Sequence, residues 1–94
     1  MSWTVVLEDE EKRPITSLSA EFTLQANRRN EGFKMLRYLD AYGDTTFNRI
    51  QQLELLQDVH LLIKLERHPL GDELINLIHQ SQEQVHSYIC FYGD

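Results

Sequence analysis

The stretch that most constrains this chain is residues 53–65, where eight of thirteen residues are apolar. At roughly 100° per residue, Leu55, Leu56, Val59, Leu62 and Ile63 fall on one arc, as an amphipathic helix requires. Leu61 and Leu65 fall on a different side, beside Glu54 and Asp58, so this helix carries more apolar surface than one buried face needs. A fold built on it must wrap the helix on two sides or leave part of it for a partner. Basic residues and Pro69 in the run Arg67-His68-Pro69 mark its end, because cations suit a helix C-terminus and proline cannot continue the helix.

A second helix follows, with Leu70, Leu74, Leu77, Ile78, Ser81 and Val85 at the spacing of one buried face. So short a connection predicts an antiparallel helical hairpin. Before the hairpin, Trp3, Val5 and Leu7 alternate with Thr4, Val6 and Glu8, the period of a half-buried strand. A charged turn over 9–14 comes next, with Pro14 expected to bar further pairing, and Ile15 to Leu18 returns as the second arm of a hairpin. Ala20, Phe22 and Leu24 alternate as an extended segment. Residues 27–32 read as an exposed polar loop, and 33–39, rich in apolar and aromatic residues, as a central strand. Residues 45–50 read as a strand pairing back, with a helix capped by Asp44 or Thr45 as the alternative. Residues 88–92 form the last strand, Tyr88, Cys90 and Tyr92 alternating with Ile89 and Phe91.

The pattern is that of a small single α+β domain over 1–94. Residues 1–50 are mainly strands, 51–87 two helices and 88–92 the final strand. The expected architecture is a mostly antiparallel sheet of three to five strands with the antiparallel helical hairpin packed on one face. Trp3, Val5, Leu36, Leu55, Val59, Leu62, Leu74, Leu77, Ile78 and Phe91 are expected to share one core. With 94 residues, one such core is what the chain can close.

Several functions are disfavoured by composition. Net charge is −6, with −1 in residues 1–50 and −5 in residues 51–94, which speaks against a nucleic-acid surface lined by cations. The single cysteine, Cys90, permits neither an internal disulfide nor a cysteine-based metal cluster. Met1-Ser2-Trp3 runs into a strand without the features of a signal peptide, and no apolar run approaches the length of a membrane helix, so a cytoplasmic protein without membrane contact is expected.

Few residues carry chemistry. Tyr-Gly-Asp occurs at 42–44 and again at 92–94, where turn chemistry after an aromatic strand end accounts for both. His79, Glu83 and His86 point one way at helical spacing and are weak candidates for a divalent metal. The two histidines are seven apart, about 10 Å along the axis, too far for one ion on a regular helix. Cys90 in an alternating aromatic strand reads as packing, and Asp40 and Asp44 as turn residues. Lys12, Arg13, Arg28 and Arg29 lie in two loops without interleaved aromatics. No catalytic or cofactor-binding residue is assigned, and the chain is not read as an enzyme.

These features predict a small acidic protein-interaction domain. Its partner is a basic protein or a second copy of itself, bound through the helical hairpin at Glu54, Asp58, Leu61, Leu65 and Ile75. Inhibitor or immunity-type proteins are the concrete analogy, being small, acidic and without active-site motifs. The alternative is a small-molecule or metal-binding regulatory domain using the His79/Glu83/His86 face.

Overall fold

In a computed structural model, describing residues 1–25 and 32–93, the alternation of Trp3, Val5 and Leu7 becomes β1 (Ser2–Asp9). Then come β2 (Pro14–Ser17), β3 (Phe22–Thr23), β4 (Asp44–Phe47), α1 (Arg49–Leu65), α2 (Gly71–Gln82) and β5 (Ser87–Gly93). Strand order is β2-β1-β5-β4, with β3 pairing the start of β1, and all pairings are antiparallel. The first and last strands are therefore the centre of the sheet. Arg28 and Arg29, and all of the expected 27–32 loop except Gly32, lie outside the described residues.

One face of the sheet holds the core. Trp3, Val5 and Leu7 of β1, Ile89 and Phe91 of β5, and Phe47 of β4 pack against Leu55, Val59, Leu62, Leu74, Leu77 and Ile78 of the two helices. All ten residues expected in the core belong to this one cluster. Phe91 meets Phe22 and Phe47 edge-on at 5.7 and 5.6 Å, the offset geometry that aromatic quadrupoles favour. His68, in the link between the helices, stacks on Phe22 at 4.6 Å. Its Nδ1 accepts from the Leu70 N–H at 3.1 Å, so its Nε2 carries the proton donated to the Thr23 carbonyl at 2.6 Å. Glu73 of α2 accepts from the backbone N–H and the hydroxyl of Ser19, pinning the β2–β3 link to the helical layer.

Residues 33–39 are not a strand. They form a strap over α1 with a short 3₁₀ turn at Leu36–Tyr38, and Phe33, Leu36 and Leu39 all point into the core. Asp58 of α1 dictates this course. Its carboxylate is buried and accepts the backbone N–H groups of Lys34, Met35 and Leu36 at 2.9, 2.6 and 2.9 Å, drawing the strap away from the sheet. The strap thereby covers one side of α1 and the sheet with α2 the other; Leu61 packs against the core, while Leu65 and Leu53 stay exposed.

Other boundaries move for local reasons. Pro14 does not bar pairing: it opens the edge strand β2 opposite Glu8, where the register slips, a position that tolerates a missing N–H. Neither Asp44 nor Thr45 caps α1. Asn48 does, its side chain accepting from Gln51 N–H while the Gln51 side chain accepts from Asn48 N–H, both at 2.9 Å. Helix α2 stops at Gln82, so Val85 is not on its buried face and is instead 70% exposed. The Tyr-Gly pairs 42–43 and 92–93 meet at one end of the sheet, where Gly93 N–H donates to Gly43 O at 2.9 Å. A Cβ on Gly93 would lie 2.6 Å from the carbonyl oxygens of Asp40 and Ala41, so only glycine fits. Trp3 closes the same end by donating its indole N–H to Asp40 O at 2.8 Å.

Candidate functional site

The hairpin patch expected from sequence is largely built into the fold. Asp58 is buried and spends both oxygens on the strap, which removes it from any rim. Leu61 and Ile75 are half-buried and pack against the core. Glu54 is half-buried and ion-paired with Lys34 at 3.3 Å. Leu65, 36% exposed, is the one apolar member of the group that reaches solvent appreciably. The His79/Glu83/His86 face does not form. Glu83 is the C-cap of α2, and His86 lies beyond it in a left-handed conformation, with φ of 60°. Among the described residues no group of three or more His, Cys, Asp or Glu side chains is placed to hold a metal ion.

Both helices lie on one side of the sheet, and the other side has no helix over it. This open face displays Thr4, Val6 and Glu8 of β1, Tyr88, Cys90 and Tyr92 of β5, and Asp44 and Thr46 of β4, as the register requires. At the end of this face where β1 turns into β2 is a cavity of about 220 Å³ lined by Glu8, Asp9, Glu10, Lys12, Thr46, Tyr88 and Cys90. Glu8 is only 5% exposed. One of its oxygens accepts from Cys90 Sγ at 3.0 Å, and the other makes a short hydrogen bond with the Tyr92 hydroxyl. Thr46 Oγ1 lies 3.5 Å from the same sulfur. Burial, opposed by the Thr46 hydroxyl and reinforced by Glu8, pushes the Cys90 thiol up to about 11. Burial and the hydrogen bond to Glu8 likewise raise the Tyr92 phenol above its usual value. Both groups are neutral hydrogen-bond donors at neutral pH, and Cys90 has the opposite of an activated thiolate.

The other carboxylates of the cavity are differently committed. Asp9 accepts the backbone N–H groups of Arg13 and Glu11 and the Arg13 guanidinium, all at 2.9 Å. The Arg13 backbone contact is the main cause holding the Asp9 carboxyl below its usual range. Glu10 lies 3.9 Å from His86 Nδ1. Among the described residues no lysine, arginine or histidine nitrogen lies within 4 Å of the Glu8 carboxylate, although Lys12 stands in the cavity wall.

Beside the cavity runs a groove of about 360 Å³ lined by Asn48, Arg49, Ile50, Val85, His86, Ser87 and Tyr88. Tyr88 is a wall of both. Ile50 is 78% exposed and faces the groove from the first turn of α1, held by the Asn48–Gln51 capping box. Val85 sits in the α2–β5 turn, which is tied down on both sides of it. Ser87 Oγ lies 2.9 Å from the Ser81 carbonyl and 3.1 Å from that of Gln84, and Ser81 Oγ sits 2.9 Å from Ser87 Oγ. Gln82 Nε2 reaches Arg49 O at 2.9 Å and Gln52 Oε1 at 3.0 Å, and the buried Gln52 donates to Phe47 O at 3.0 Å. These bonds lock the end of α2 to the start of α1. The exposure of Ile50 and Val85 is therefore a property of rigid turns and not of fraying ends.

Sequence reasoning missed this end of the molecule. Glu8 sits in the outward phase of β1, and nothing local marks it as buried. The one available signal was the Tyr88/Cys90/Tyr92 alternation, which puts two aromatic rings on the same outer face. No family model, curated protein or solved structure matches the chain. No helix among the described residues is long and apolar enough to cross a membrane.

Proposed function

We propose that this chain is a small acidic interaction domain that binds a basic protein at the end formed by the start of α1, the α2–β5 turn and the open face of β5. The observation that carries this reading is the exposed pair Ile50 and Val85, rigidly held in one groove beside a cavity walled by three carboxylates. Apolar anchors surrounded by charge supply affinity through burial, and orientation and association rate through electrostatics. A net charge of −6 favours a basic partner over a second copy, because self-association brings like charges together. The inhibitor or immunity-type comparison stays an analogy of size and charge. Cytoplasmic residence goes with this reading, the chain having one cysteine and needing no disulfide.

The test is capture from the cells that make the protein, comparing wild type with Ile50→Asp/Val85→Asp and with Leu65→Asp on the hairpin. We expect wild type and Leu65→Asp to recover one basic protein in near-stoichiometric amount, and the groove variant to lose it at least about tenfold, the scale of a central interface contact. Undiminished capture by a folded groove variant, or loss with Leu65→Asp alone, overturns the assignment. Light scattering on the same samples reads the other occupant: a wild-type dimer that the groove variant dissolves makes the partner a second copy and overturns the heterologous reading.

A further inference from the structure

We infer that the Glu8 cavity is a socket for one arginine side chain of the partner. This rests on the interaction reading above and deepens it by naming the group the partner inserts. A carboxylate taken out of water is costly unless a cation or several strong donors compensate it. Glu8 has lost nearly all its solvent, yet its bonded neighbours are a thiol and a phenol, both neutral. Each of its oxygens has used one donor and has capacity left to accept another. The missing compensation is a cation entering from the cavity.

The walls favour a guanidinium. Tyr88, the cross-strand neighbour of Glu8, lines the cavity as well, and an aromatic wall suits a weakly hydrated planar cation better than an ammonium. The fork of arginine can reach both Glu8 oxygens at once. At about 220 Å³ the cavity is smaller than the roughly 300–1,000 Å³ typical of small-molecule sites, so it suits a side chain and not a free drug-sized ligand. Glu10 adds negative charge to the lining, Asp9 is paired with Arg13, and Lys12 is the single cation among the lining residues and opposes entry. The groove holding Ile50 and Val85 continues past Tyr88, so an arginine flanked by apolar residues would fill both.

The probes are blocked tripeptides Leu-Arg-Leu and Leu-citrulline-Leu, titrated into the full chain and followed by amide chemical shifts. Citrulline keeps the shape of arginine and removes the charge. We expect the arginine peptide to shift residues 8–10 and 88–90 and to bind at least about thirtyfold more tightly than the citrulline peptide, the low end of what losing one member of a buried charge pair costs. Glu8→Gln should abolish that preference while keeping a folded spectrum, and Lys12→Gln should increase affinity for the arginine peptide. Equal binding of the two peptides by wild type overturns the socket, and does so without any variant that must fold. Shifts confined to the outer faces of α1 and α2 overturn it equally. The two readings fail separately. Equal peptide binding with groove-dependent capture removes the socket alone. Arginine preference with capture indifferent to Ile50→Asp/Val85→Asp removes the groove as the docking site.

Discussion

The Asp58 carboxylate holds three backbone N–H groups of residues 34–36, one of them fully buried, and so fixes a whole segment from one side chain. Asp58→Ala leaves those donors without acceptors and should cost roughly 2–4 kcal/mol in urea unfolding, given the usual worth of hydrogen bonds to a charged group. A loss under about 0.5 kcal/mol, the range of ordinary surface changes, would contradict this role. Cys90 supports a second prediction at this scale. Its thiol titrates near 9.0 when free and about 11 in the folded chain. A raised folded value favours the protonated form, so the stability it contributes is fully present below about pH 9 and is lost as pH rises through about 11. Tyr92 acts in the same direction. The urea midpoint should therefore fall between pH 8 and 10.5, and fall less steeply in Cys90→Ala; an equal slope in the two proteins would contradict the assignment. Neither behaviour was legible in the sequence. Asp58 reads from the sequence as an acid on the rim of a binding patch, and the raised Cys90 thiol owes most to burial, reinforced by Glu8, 82 residues away in the chain.

Helices and strands with a clean period were legible, because local pattern and tertiary burial agree there. The alternation in β1 and β5 and the leucine arc of α1 each mark the face that packs in the core, although Glu8 and Cys90 of the opposite phase are buried too. The strap failed because its apolar residues are spaced by three, at Phe33, Leu36 and Leu39, and not by two. Alternation would have put Arg37 on the same face as Phe33 and Leu39, a conflict that argued against a strand. The end of α2 was misplaced for another reason: Val85 continues the apolar period of the helix, but the Ser81–Ser87 hydroxyl contact closes the chain into a turn first. Leu62, fully buried in α1 between sheet, strap and α2, tests the layer as a unit. Leu62→Ala should cost roughly 2–5 kcal/mol, as truncation of a packed core leucine does. Gly93→Ala should also destabilise the protein, since its Cβ meets backbone oxygens that cannot move without breaking the closed end of the sheet.

For the whole molecule, the arrangement of layers decides what remains for function. Both helices and the strap pack on one face of the sheet, so much of the apolar surface of the helical hairpin, expected from the sequence to be the binding surface, is used in the fold. The opposite face has no helix over it, and it carries a buried acid at the end of β1 and two exposed aliphatic side chains in the neighbouring groove. That division is a property of topology: it arises because β5 returns to the middle of the sheet and carries the α2–β5 turn to the start of α1. The most direct measurement is hydrogen exchange by mass spectrometry on the protein alone and in the complex recovered by capture. The account predicts new protection in residues 48–51, 84–90 and 8–12, with the outer faces of α1 and α2 unchanged. Protection concentrated around Leu61, Leu65 and Ile75, with the β5 face exchanging as in the free protein, would contradict it.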